Sequence, residues 1–206
     1  MSKTRMLWMA GVLVWAGVSA ADASAFTARY DQKITHGRQI YQSKVAMKDT
    51  NFRMESTIQG QVSIVIHNDE GTFTVMPKDG IAMKTPLQPG QGGIEGADNY
   101  AEYLKKQHAE QTGSESVNGH ACDIYHFTSE TGEATTAWVA KDLQFPVKME
   151  IESSEGKMLV DITNVQVGVP VPDSEFKLPP GVQLMDMNNP DRVRLREALL
   201  RRGWRP

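Results

Sequence analysis

The sequence predicts a mainly β fold: a long antiparallel sheet that curls into an incomplete barrel (a half-barrel), with one covering helix and a C-terminal helical tail. Three observations predict it. Apolar and polar residues alternate with period two through most of the body. Turn residues recur between the alternating runs at hairpin spacing. A single stretch within the body has helical spacing, and it follows a Gly/Pro-rich loop.

The alternation is clearest in "FPVKMEIESSEGKMLVDITNV". Val147, Met149 and Ile151 alternate with Lys148, Glu150 and Glu152. After the turn at Ser153–Gly156, Met158, Val160 and Ile162 alternate with Lys157 and Asp161, Leu159 being the exception. In "NFRMESTI", Phe52, Met54 and Ile58 oppose Arg53, Glu55 and Thr57. "QVSIVIHNDEGTFTVM" reads as two strands around Asn68–Gly71. Asn118-Gly119 supplies the positive φ angles of a type I′ turn, the strongest hairpin sign in the chain. Another turn at Thr131-Gly132 leads into a strand carrying Trp138 and Val139. These runs amount to roughly nine to eleven strands, the pattern of an antiparallel meander.

The helical stretch is "DNYAEYLKKQHAEQ", with Asp98 as the expected N-cap. Tyr100, Tyr103, Leu104 and His108 share a face, and the sheet is the surface that face would meet. A long antiparallel sheet curls as its twist accumulates. Left unclosed, it has an open concave side, for which the aromatic helix is a lid. Near the end of the body, "VPDSEFKLPPGV" offers Phe176 as a plug for one rim. Pro179-Pro180 is expected to end the ladder there, since proline has no N–H.

Domain organisation follows from the ends. Lys3 and Arg5, the apolar run Met6–Val18 and the small residues Ala23-Ser24-Ala25 are the three parts of a secretory signal peptide. The expected segments are a signal peptide over 1–25, with a cut after Ala20 as the alternative because Val18-Ser19-Ala20 has the same small-residue pattern, a half-barrel domain over 26–185 and a basic amphipathic tail over 186–206. An apolar run of that length is too short to span ~30 Å of hydrocarbon, so cleavage and a periplasmic product are expected. Cys122 is the one cysteine, so no internal disulfide can form. The tail carries six Arg against Asp186, Asp191 and Glu197, while the whole chain has net charge −3. An acidic body therefore carries a basic tail, and the acidic body argues against nucleic acid as a partner.

Several stretches together resemble the LolA/LolB-like superfamily of periplasmic lipoprotein carriers and the related outer-membrane lipoprotein-sorting homologues. They are "YDQKITHG" with "VAMKDTNFRME", "GTFTVMPKDGIAM", and the long C-terminal run from "FPVKMEIE" through Asp-x-x-Phe to "LPPGV". The resemblance implies an incomplete β-barrel, covered by helices, whose hydrophobic concave face holds acyl chains.

The candidate binding residues are the apolar ones expected to face that concavity: Phe52, Met54, Ile64, Ile66, Phe73, Val75, Tyr125, Phe127, Trp138, Met149, Ile151, Val160 and Ile162, with Tyr100, Tyr103 and Leu104 of the helix. A sheet with one buried face gives the same pattern without any ligand. The chain's eleven Met add adaptable apolar surface, although three lie in the signal segment. A rival reading is metal binding through "HACDIYH", where His120, Cys122 and His126 share parity. The two histidines would stand ~20 Å apart along a strand, too far to meet at one ion. No G-x-S-x-G, H-E-x-x-H, phosphate-binding Gly loop or C-x-x-C occurs, so no catalysis and no cofactor are expected. The tail, with Pro190 early and Trp204 late, reads either as a helix lying on a membrane surface or as one docked on the acidic body or an envelope partner. The expectation is an exported carrier for lipid, lipoprotein acyl chains or another amphiphile. The alternatives are a periplasmic metal-binding protein and an envelope interaction module.

Overall fold

The computed structural model describes residues 25–58, 60–85, 94–129, 132–154 and 156–186. The signal segment and the Arg-rich tail fall outside the described residues, apart from Ala25 and Asp186 at their margins. The Gly/Pro-rich loop over 86–93 falls outside them too.

The chain runs β1 (Thr27–His36), β2 (Gln39–Lys48), β3 (Asn51–Ile58), β4 (Gln61–Asn68), β5 (Gly71–Met76) and β6 (Ile81–Thr85), then α1 (Tyr100–Lys106). It continues through β7 (Glu110–Val117), β8 (His120–Thr128), β9 (Ala134–Ala140), β10 (Phe145–Ser153), β11 (Gly156–Val167) and β12 (Gln183–Asp186). All twelve strands belong to one sheet in the order β12-β6-β5-β4-β3-β2-β1-β11-β10-β9-β8-β7. The sheet does not close, and with α1 it forms the expected incomplete barrel.

Local chemistry sets the hairpins. Asn118 and Gly119 have φ of 52° and 87°, so the predicted type I′ turn joins β7 to β8. β1 pairs with β11 as well as β2, which joins β1–β6 to β7–β11. At Asn164, φ is 54°, where the β1–β11 register shifts.

Two expectations about the chain's end need correction. Pro179-Pro180 do not terminate the ladder. Gly181, at φ 83°, turns the chain, and β12 then pairs with β6 in parallel. Phe176 does not plug a rim of the hollow. After β11 the chain crosses the back of the sheet, and Phe176, in a 3-10 turn over Asp173–Phe176, is buried against Ala46, Ile64, Ile66, Phe73, Val75 and Ala82. The physical reason is the topology. β11 lies mid-sheet while β12 lies beyond β6, so the connection must traverse β1 to β6 on one face or the other.

Candidate functional site

Pleating divides each strand between the face under α1, here the inner face, and the face crossed by the C-terminal segment, the outer face. On the inner face, Ala28 and Tyr30 of β1 stand beside Val45 and Met47 of β2, Phe52 and Met54 of β3 and Val65 of β4. On the other side of β1 come Val160 and Ile162 of β11, Met149 and Ile151 of β10, Ala137 and Val139 of β9, and Tyr125 and Phe127 of β8. Tyr30 also packs on Phe145, with ring centroids 5.4 Å apart.

α1 fills the middle of this face. Asn99, not Asp98, caps it: the Asn99 side chain accepts from the Glu102 N–H at 3.2 Å. Asp98 belongs to the preceding 3-10 turn Ala97–Asn99. Tyr100 and Leu104 are buried, and Ile94 and Ala97 join them in the inner cluster. Tyr100 Oη lies 3.7 Å from Met149 Sδ, and the Tyr103 ring meets Phe127 edge-on at 5.9 Å. His108 falls past the helix end with φ of 51° and does not share its face. Burial pushes the phenols of Tyr30 and Tyr100 far above their ordinary range, and for Tyr100 the neighbouring Tyr103 and Glu95 add to it. Both rings are therefore neutral. Gly96 is required where it stands. Its φ is 69°, and a Cβ there would strike Tyr103.

The predicted binding set thus splits. Phe52, Met54, Tyr100, Tyr103, Leu104, Tyr125, Phe127, Met149, Ile151, Val160 and Ile162 come together around α1. Ile64, Ile66, Phe73 and Val75 do not; they are buried on the outer face beneath Phe176. Trp138 is also on the outer face, packed with Cys122, Ala140 and Val147. There Lys148 Nζ lies 4.0 Å from the Trp138 ring centroid. Val147 parts from Met149 and Ile151 because the β9–β10 register shifts between Pro146 and Lys148. Sequence reasoning missed Tyr30, Val45, Met47, Val65 and Ala137 on the inner face. The clue in β4 is "SIVIH", where Val65 stands between two isoleucines, the continuous apolar run of a strand buried on both sides.

Beneath α1 the inner face is packed by the protein's own side chains. Around the helix, Met54, Val65, Tyr103, Tyr125, Phe127, Met149 and Ile151 remain half-buried. A polar cleft of about 600 Å³ opens beyond the end of α1, lined by Gln107, His108, His126, Phe127, Glu150 and Glu152. A second, of about 550 Å³, lies between Thr27, Lys48 and Gly168–Pro172.

The outer segment is held differently. Arg29 pairs with Glu175, Lys48 Nζ lies 2.6 Å from Asp173 Oδ1, and Asn68 Nδ2 donates to the Phe176 carbonyl at 2.7 Å. The Lys48 ammonium holds the Asp173 carboxyl below its usual range.

The metal-binding alternative finds no support in the geometry. His120 Nδ1 contacts Asp142 at 2.8 Å, and the fully buried Cys122 thiol donates to the His120 carbonyl. Burial raises the thiol pKa, away from the thiolate that a metal needs. His126 lies further along β8 in the polar cleft. Among the described residues no three His, Cys, Asp or Glu side chains are grouped to hold an ion.

No curated protein matches the chain in sequence. Among solved structures, an uncharacterized conserved protein from Thermus thermophilus superposes with a TM-score of 0.56 at 10% identity, over 80% of this chain and 91% of that one. The Pseudomonas aeruginosa MucA/MucB complex includes a match with a TM-score of 0.50 at 11% identity, over 78% of this chain, which spans only 58% of that chain's length. A LolA superfamily protein from Nitrosomonas europaea is also similar, with a TM-score of 0.41 at 14% identity, over 75% of this chain and 90% of that one. At these identities the likeness to the first two is one of fold. A family described as a domain of unknown function, DUF4412, matches residues 26–144, more than half of the chain. The chain belongs to the DUF4412 family.

Proposed function

We propose that this protein is an exported periplasmic carrier or binding protein. It holds the acyl part of a lipid, a lipoprotein or a similar amphiphile on the inner face of its half-barrel, with α1 as a displaceable cover. No catalytic step is assigned to it. One observation carries the reading: α1 itself meets the sheet mainly through contacts of a kind an acyl chain can replace. These contacts are the buried Tyr100 and Leu104, a weak Tyr100–sulfur contact and one edge-on ring pair; ahead of the helix, Ile94 and Ala97 are buried too and the Ile94 backbone hydrogen-bonds the Tyr30 phenol. The ion pair on α1, between Lys106 and Glu102, lies within the helix.

Magnitudes allow exchange. Burying each large side chain is worth about 1.5–3 kcal/mol, so Ile94, Tyr100 and Leu104 together give roughly 4.5–9 kcal/mol. A dozen methylenes at ~0.8 kcal/mol each give about 10 kcal/mol before ordering costs. An acyl chain entering beside Phe127 and Met149 is therefore of the same order as the cover it lifts and can compete with it. Export rests on the N-terminal segment of the sequence, and the DUF4412 match opens at Phe26, the expected first residue of the mature chain.

The test is native mass spectrometry of the mature protein, with titration by a fluorescent fatty-acid analogue. Copurified lipid or saturable uptake is expected. Finding neither sinks the proposal. The MucA/MucB likeness supports a second reading, an envelope module that binds a protein partner. Pull-down from envelope extract with and without residues 187–206 distinguishes an interaction made by the tail from one made by the body.

A further inference from the structure

The inner face is not uniformly apolar. At one level of the sheet, Gln32 of β1 stands opposite Ser43 of β2, Ser43 opposite Ser56 of β3, and Ser56 opposite Ser63 of β4. Directly opposed side chains on one face have Cβ atoms about 5 Å apart, so these four make a continuous polar row. It begins at Ile162, the other neighbour of Gln32, which is fully buried in the inner cluster. The row thus starts where the apolar floor ends.

Two further features define what the row would accept. Gln32 is 9% exposed, and its buried Oε1 has no hydrogen-bond partner. A buried acceptor without a donor is rare in native structures and calls for an explanation. The inward sets of β1 to β4 also contain no Lys, Arg, Asp or Glu. Arg29, Asp31, Lys33, Lys44, Arg53 and Glu55 all have the outward parity. An anionic headgroup would find no cation along the row. The three half-buried serines can each donate or accept.

We infer that the Gln32–Ser43–Ser56–Ser63 row is a headgroup subsite that selects a neutral, hydroxyl-bearing amphiphile of the acylglycerol class. A ligand hydroxyl donates to Gln32 Oε1, the serines bond the remaining oxygens, and the acyl chain runs on toward Ile162 and Met149. This rests on the carrier reading and adds a headgroup preference to it.

The test is displacement of N-phenyl-1-naphthylamine from the mature protein at neutral pH by monooleoylglycerol, methyl oleate and oleate. Monooleoylglycerol is expected to act at about ten-fold lower concentration than methyl oleate, which has the chain but no donor, and to outcompete oleate, which has the chain and a charge. In Gln32→Leu, and separately in Ser43→Ala/Ser56→Ala/Ser63→Ala, that advantage is expected to vanish while methyl oleate is unaffected. Equal displacement by monooleoylglycerol and methyl oleate in the unaltered protein, stronger displacement by oleate, or an advantage surviving both variants would overturn the subsite but leave the carrier reading standing. Failure of the naphthylamine and of every lipid to bind would overturn both.

Discussion

The two faces of the same strands are covered in opposite ways. Over β2 to β6 the outer face is sealed by a segment fastened with ion pairs and a hydrogen bond from the Asn68 side chain to the Phe176 carbonyl, and Phe176 is almost wholly buried. The inner face is covered by two turns of helix resting on apolar and ring contacts, with half-buried aromatic and Met side chains left around it. Both covers are short, and both bury aromatic residues. The difference lies in the share of polar fastening: charge pairs and hydrogen bonds hold one geometry, whereas apolar contact exchanges readily for other apolar contact. The outer core is therefore read as structure and the inner core as the place of exchange.

The sharpest way to break this comparison is Phe176→Ala. Truncating a buried Phe costs about 3–5 kcal/mol. Denaturant unfolding should show that loss, while lipid-probe uptake by the protein still folded stays unchanged. Weakened uptake at full occupancy of the fold would mean the outer core takes part in binding. Gly96→Ala comes next. It sets an L side chain at φ 69° against Tyr103, costs about 1–3 kcal/mol, and should loosen α1 and alter probe uptake along with stability. A loss of stability with unaltered uptake would separate the helix from binding.

Phe127→Ala should do the reverse of Phe176→Ala. Half-buried Phe127 is expected to contribute about 1 kcal/mol to stability, yet its removal should weaken probe affinity several-fold by fluorescence titration. The smallest effect is on the outer surface. Lys157 Nζ lies 2.5 Å from Glu150 Oε2, which lowers the Glu150 pKa and raises that of Lys157. Stability from the lowered carboxylate is complete above its unfolded pKa of ~4.3 and disappears as pH falls through the folded value. The raised ammonium contributes below its unfolded pKa of ~10.4 and loses its contribution as pH rises through the folded value. Glu150→Gln should slightly flatten both limbs of a Tm-against-pH curve while leaving lipid uptake alone.

Much of the architecture was legible because β-strands and hairpins write themselves locally. The Asn118-Gly119 turn and the β10–β11 hairpin are where alternation and turn chemistry put them, and α1 falls within the stretch of helical spacing, although that stretch already gives way to β7 at Glu110. The site was legible only in part, because period two tells which residues share a face within a strand but not which face. β3 turns Phe52 and Met54 inward, whereas β4 and β5 turn Ile64, Ile66, Phe73 and Val75 outward, since a distant segment waits there to bury them. The bulge after Pro146 reverses Val147 against Met149, and the proline, which cannot donate to the ladder of a central strand, is its one sign in the sequence. Gln32 and the serines escaped notice because a polar residue in an alternating strand reads as solvent-facing until its cross-strand neighbours are known.

The parallel pairing of β12 with β6 sets an order of events for the nascent polypeptide. β6 finds its outer neighbour only in residues synthesised about a hundred positions later, beyond all the other strands. Contacts of such long sequence separation form slowly, because loop-closure entropy is lost before they are gained. Until the last strand arrives, β6 presents an unpaired margin open to self-association, so premature termination near residue 180 should yield aggregates rather than a slightly shorter soluble protein.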